Sequence, residues 1–294
     1  LKLATKFSIS ICALFFSSNA LAFDSPSDPP FIVENDGSTL TSAHQIASEI
    51  KKGSILILGE LHDNADHHNN QLEIVRSLLE LGHKVDLGME FLNYTDQFEI
   101  YKYGAGLTSK GKFLENIQWK TPESFEFYSP MIDAVHQNNG SVLGLNIPRL
   151  ITTKVAQNGV NSLSNPELSL LPYPLELGNN HYFERFYQAV GGGHVPDEKI
   201  ENYFWSQSIW DDVMSWKALE HMEKNPTRIL VIIVGDFHVS YGGGLKELIE
   251  RKGFTEVKTV SQTVKGDSTE QELSKAIAPH LKYGARADWI WVTE

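Results

Sequence analysis

The chain has 294 residues, a formal net charge of −12 and one cysteine, and it is long enough to bury a large core without covalent staples. Its basic residues are scattered singly among acidic ones, which excludes nucleic acid and other polyanions as partners. With the only thiol near the N-terminus, cysteine nucleophile chemistry is excluded as well.

Lys2 and Lys6 precede an apolar run from Phe7 to Phe16, followed by Asn19-Ala20-Leu21-Ala22. That is the layout of a signal peptide with an A-x-A cleavage site. Residues 1–22 are therefore expected to be removed on export to the periplasm, leaving a mature chain that starts at Phe23. The run is too short for a permanent span, and nothing later in the sequence resembles a membrane helix. Lipid attachment at Cys12 is the alternative. Ile11 stands where a small residue is needed before a lipidated cysteine, so Cys12 is expected to leave with the leader.

Residues 23–40, rich in Pro, Ser and Asp from Asp24 to Pro30, read as a leader or linker, and residues 41–294 as an α/β domain. Four apolar runs stand out as strands: Ile55 to Leu58, Val85 to Met89, Val142 to Leu145 and Ile229 to Val234. A fifth is expected at Trp289 to Val292. Such continuous runs belong to strands covered on both faces, hence to a mainly parallel sheet flanked by helices. Between them, His67 to Leu81 carries Leu72, Val75 and Leu79 at helical spacing and is stopped by Gly82; Leu245 to Glu250 reads as a helix stopped by Gly253. Helical patterns also fill Thr95 to Gln137 and Pro166 to Lys224. In the latter, Trp205, Ile209, Val213, Trp216 and Leu219 form an apolar stripe, and a small all-helical subdomain is predicted over about residues 160–225.

The strand at Ile55 to Leu58 runs into Gly59-Glu60-Leu61-His62, and the strand at Ile229 to Val234 runs into Gly235-Asp236-Phe237-His238. Twice an apolar strand ends in glycine, acid, apolar residue, histidine. In a parallel sheet both ends reach one edge, and a third strand brings Met89-Glu90 to it. Glu60, His62, Glu90 and His238 are therefore expected to converge, either as general acids and bases or, for His62, Glu90 and His238, as ligands of a divalent metal. Asp63 to Asp66 read as N-capping residues of the next helix. His67 and His68 are open between solvated surface and site wall. Serine-hydrolase elbows, H-E-x-x-H, Walker A and dinucleotide glycine motifs are missing.

Aromatic residues crowd the second helical stretch: Tyr182, Phe183, Phe186, Tyr187, Tyr203, Phe204, Trp205, Trp210 and Trp216, interrupted by Gly191-Gly192-Gly193-His194. They read either as an aromatic helical core with a glycine linker or as a surface for a planar ligand such as a porphyrin. In the second case Tyr203, Tyr187 and His194 are the candidates for axial contact with haem iron.

Leu58-Gly59-Glu60-Leu61-His62-Asp63-Asn64, His67-His68, Gln71-Leu72-Glu73, Gly88-Met89-Glu90, Leu145-Asn146-Ile147-Pro148-Arg149 and Gly235-Asp236-Phe237-His238-Val239 follow one another as blocks. In these blocks the chain resembles the ChaN-like haem-binding uptake proteins, within the wider Tiki and erythromycin-esterase-like group. The resemblance implies a parallel-sheet domain, a small helical domain, and a pocket between them at the sheet edge that takes haem, in some members across a homodimer. It further implies a part in iron acquisition, in association with the outer membrane or a haem-uptake system. Ligation by tyrosine with histidine assistance would fall to Tyr203 and His194. Phe237 is bulkier than the small residue usual at its place. The wider group implies the rival function, a hydrolase using Glu60, His62, Glu90 and His238.

Overall fold

The computed structural model describes residues 29–190 and 195–294. The expected signal peptide, Cys12 and His194 lie outside the described residues. Among the described residues no helix is long and apolar enough to cross a membrane.

The chain opens with β1 (Phe31–Glu34), β2 (Leu40–Thr41), α1 (Ala43–Glu49) and β3 (Ile55–Glu60). It continues through α2 (Ala65–Glu80), β4 (Val85–Asn93), α3 (Gln97–Gly104), α4 (Lys110–Asn116), α5 (Ser129–Gln137) and β5 (Val142–Asn146). A helical excursion follows, α6 (Arg149–Asn158), α7 (Asn165–Leu168), α8 (Asn180–Val190) and α9 (Ile200–Lys224). The chain then returns through β6 (Ile229–Gly235), α10 (Leu245–Arg251), β7 (Val257–Val264), α11 (Glu270–Ile277) and β8 (Trp289–Thr293).

The eight strands form one sheet in the order β2-β1-β8-β7-β3-β6-β4-β5. β8, β7, β3, β6, β4 and β5 run parallel, and β1 and β2 close one edge antiparallel. The stretch read as a linker over residues 23–40 therefore ends in sheet: Ile32 and Val33 are buried, and β1 pairs along its whole length with β8. Only Pro29 and Pro30 of the predicted Pro-rich segment are described, and they lie just before this strand.

Alternate residues of the central strands feed two cores. Leu56, Leu58, Val231 and Ile233 pack with α1, α2 and α5; Ile55, Ile57, Leu230 and Ile232 pack with α9 and α10. All eight are essentially inaccessible, each contributing about 2 kcal/mol by burial. The apolar stripe of α9 divides its work. Ile209 and Val213 pack with α6, while Met214, Ala218 and Met222 cover the sheet. The C-terminal half of α9, which the sequence placed in the helical subdomain, is thus part of a sheet layer, while its N-terminal half stays in the helical excursion.

After β3 the chain turns to the face of α2, and after β6 to the face of α10. The carboxyl ends of two adjacent parallel strands from which the chain departs to opposite faces leave a crevice between them, the usual position of a ligand site in an open α/β sheet.

Candidate functional site

The two Gly-x-x-His segments sit side by side but one residue out of step. In the β3–β6 register Gly59 faces Val234 and Glu60 faces Gly235. Because side chains alternate along a strand, a one-residue offset sends the two acids to opposite faces. Glu60 points toward α2 and α5, whereas Asp236 points the other way, where its carboxylate accepts hydrogen bonds from Ser240, Ser261, the Gln262 backbone and Arg286. Asp236 therefore ties the β6 turn to β7. Acid and histidine are bonded to each other in the first segment, Glu60 to His62, whereas in the second His238 pairs with Asp211 and Glu90 instead of Asp236.

The offset makes the glycines reciprocal. A β-carbon on Gly235 would stand 2.8 Å from Cε1 of His62, and one on Gly59 would stand 2.5 Å from Oδ1 of Asp236. Each strand end gives up a side chain so that a residue from the other segment can lie across it.

Around Glu60, on the α2 side, every oxygen is occupied. Oε1 accepts from Tyr128 Oη at 2.8 Å and from His62 Nδ1 at 3.2 Å; Oε2 accepts from Gln71 Nε2 at 3.0 Å and lies 3.2 Å from His68 Nδ1. Burial alone would raise the Glu60 pKa. The hydrogen bonds from His62 and Tyr128, with the His68 ring close by, outweigh it and hold the carboxyl at about 2. The same bond from Glu60 raises the pKa of His62. Phe91 meets the His62 ring edge-on at 4.9 Å and fixes its plane.

On the α9 side, His238 lies between two carboxylates. Its Nδ1 is 2.6 Å from Asp211 Oδ1 and its Nε2 3.4 Å from Glu90 Oε1. Tyr182 donates to the other oxygen of Asp211, and the Gly235 N–H donates to Glu90 Oε2 at 2.7 Å. Burial acts to lower the His238 pKa, but Asp211 and Glu90 together push it well above the ordinary value.

Between these two groups lies a cavity of about 670 Å³. Glu60, His62, Glu90 and His238 all line it, joined by Leu61, Phe186, Ala189, Val190, Trp210 and Phe237. The convergence expected from sequence is therefore found, with a polar floor from the strand ends and an apolar wall from α8 and α9.

Other expectations are corrected. A divalent-metal set of His62, Glu90 and His238 does not form: among the described residues no three His, Cys, Asp or Glu side chains are grouped to hold an ion. His238 turns Nδ1 to Asp211 and Nε2 to Glu90 Oε1, and Glu90 Oε2 accepts from the Gly235 N–H, so these two side chains face each other and their neighbours. His67 and His68 are neither solvated nor wall residues but are buried inside the first turn of α2. His67 Nδ1 accepts from the Leu61 N–H, and His68 Nε2 donates to the His62 carbonyl, so both hold the turn that aims His62. Asn64 caps α2 by accepting from the His67 N–H, which fulfils the capping role expected of that stretch. Tyr203 packs in the cluster of Tyr182, Phe186, Phe204 and Val195 rather than lining the cavity, and Tyr187 stands 46% exposed outside it.

Asp211, Tyr128 and Gln71 were not singled out as site residues from the sequence. Asp211 stands two residues from both Ile209 and Val213, off the predicted apolar stripe, so its spacing did not mark it as buried.

Comparison with known proteins agrees with this architecture. Residues 46–249 match the family described as "Haem-binding uptake, Tiki superfamily, ChaN", and the chain belongs to that family. Among solved structures, the ChaN of Campylobacter jejuni, determined for its cofacial haem binding, superposes with a TM-score of 0.66 at 17% identity, covering 91% of this chain and 98% of that one. At that identity the likeness establishes the fold. The erythromycin esterase EreC in its open conformation shares 12% identity over 78% of this chain and 77% of its own, with a TM-score of 0.46, too remote to inform the site. No match was found among curated proteins.

Proposed function

We propose that this protein binds haem in the cleft between the carboxyl ends of β3 and β6 and the helices α8 and α9, and that it serves haem or iron uptake. The observation that carries the reading is the two-sided lining. Phe186, Val190, Trp210 and Phe237 offer an apolar wall, and His62 with its carboxylate offers a polar floor. A porphyrin needs both, an apolar surface for its ring and a nitrogen or oxygen donor for its iron. Family membership and the fold shared with a haem-binding ChaN support the same reading. Adding haemin to the protein should give a saturable Soret shift. Ala189→Trp, which fills the cavity mouth, should weaken it, and an unchanged spectrum in the unmodified protein would end the proposal.

Export by a signal peptide over residues 1–22, periplasmic residence and pairing of two copies around the ligand belong to the same proposal. So does association with the outer membrane or a haem-uptake system. Fractionation of cells and N-terminal sequencing test export, with Phe23 the expected first residue and a lipid-modified Cys12 the contrary one.

A second reading, an acid–base hydrolase, is favoured by one observation: two carboxylate-backed imidazoles, His62 and His238, line one cavity. Such a pair could supply a general acid and a general base. Ester and amide hydrolysis by the unmodified protein, lost in both His62→Ala and His238→Ala, would establish it. Equal rates in all three would remove it.

A further inference from the structure

Resting on the haem reading of the cleft, we infer that Arg185 is a positioning residue: it locks α8 to the turn after β6 and so fixes the width of the slot that selects a flat ligand. Arg185 stands one residue before Phe186, which with Val190 gives the share of α8 in the cavity wall, while Phe237 and His238 give the share of the turn. Its guanidinium spans the two. Nη1 donates to the Ser240 carbonyl at 2.6 Å and Nη2 to the Phe237 carbonyl at 3.4 Å. The same group lies 5.0 Å from the ring centres of both Phe237 and Tyr241, and 5.8 Å from that of Tyr182.

A buried guanidinium is an expensive means of joining two elements. Arg185 is 8% exposed and makes no ion pair among the described residues, since Asp236 on the same turn is paired with Arg286 instead. An apolar side chain would fill the space with less desolvation, but it could not hold two carbonyls at once, as the planar fork of arginine does. The turn is shaped to receive the fork: a β-carbon on Gly243 would stand 3.1 Å from Arg185 Nη1 and 3.2 Å from Tyr182 Cβ. Two other polar ties of α8 run elsewhere, from Tyr182 to Asp211 on α9 and from Glu184 to Lys282 at the surface. Of these three, the Arg185 tie is the one that reaches the turn carrying Phe237. A slot held at one width admits a flat ring without reordering its walls and refuses a thicker one.

Titrations of the full chain with haemin and with a tetra-aryl iron porphyrin, whose aryl rings stand out of the macrocycle plane, test the assignment. The unmodified protein should prefer haemin. Arg185→Met should bind haemin about tenfold more weakly, release it faster, and lose at least about tenfold of its preference over the aryl porphyrin. Arg185→Lys keeps the charge but not the fork and should change in the same direction, which keeps the test decisive if the methionine variant does not fold. Glu184→Gln, which removes an exposed pair of the same helix, should change neither ligand's binding. A role in stability alone would shift the unfolding curves and leave the preference of the folded Arg185 variants where it was. That result, or equal binding of the two porphyrins by the unmodified protein, overturns the assignment while haem binding stands. Absence of any Soret response to haemin in the unmodified protein ends the haem reading and this assignment with it.

Discussion

His62 lies across Gly235, with Cε1 and Nε2 only 2.8 and 3.2 Å from where a β-carbon on that glycine would sit. Residues far apart in sequence thus set each other's position: the end of β6 is bare because the ring from the end of β3 occupies the space. Gly235→Ala should push the His62 ring off its bond to Glu60 and into the cavity it lines, and weaken haemin binding there. Titration of the variant beside its unfolding curve separates a site defect from a folding defect.

Gly59→Ala should behave differently. Its β-carbon would meet both Asp236 Oδ1 at 2.5 Å and the Asp236 Cα at 3.1 Å, and a backbone atom cannot swing aside. The expected cost is about 1–3 kcal/mol of stability, read by urea denaturation.

Asp211→Asn removes one of the two carboxyl groups that face the His238 ring. The pair is fully buried, so the loss leaves a charge with weaker compensation and should destabilise the fold by about 3 kcal/mol. Thermal and urea unfolding of the variant check this, and a change below about 0.5 kcal/mol would contradict the pairing.

Acid sensitivity follows from Asp86. Burial acts to raise its pKa, but hydrogen bonds from His221 and Arg228 lower it below the ordinary value. A carboxyl depressed in the folded state contributes stability above its unfolded pKa and loses it as pH falls through the folded one. Stability should therefore decline between about pH 5 and pH 2, and the decline should be shallower in Asp86→Asn, whose side chain does not titrate. Urea unfolding across that range measures both slopes.

How much of this was legible depended on what each residue faced. β3, β4, β5, β6 and β8 were readable because strands covered on both faces are mostly continuous apolar runs. β7 was not, since Thr259, Ser261 and Gln262 are polar yet buried: they satisfy Asp288, Asp236 and the Gly59 carbonyl, and such partners leave no periodic trace. β1 was hidden in a segment read as linker. At the site, the two Gly-x-x-His segments announced a shared edge, but the one-residue offset that separates Glu60 from Asp236 is a matter of strand register, which composition does not carry. The buried role of His67 and His68 was equally invisible, because a histidine inside a helix turn and one on its surface occupy the same sequence context.

Whether the crevice between His62 and the α8–α9 wall holds haem is tested most directly by a crystal structure of the full chain grown with haemin. The expected result is porphyrin density in the cavity, with the ring against Phe186, Trp210 and Phe237. Density at Tyr187 or elsewhere on the outer surface, with the cavity filled only by water, would contradict it.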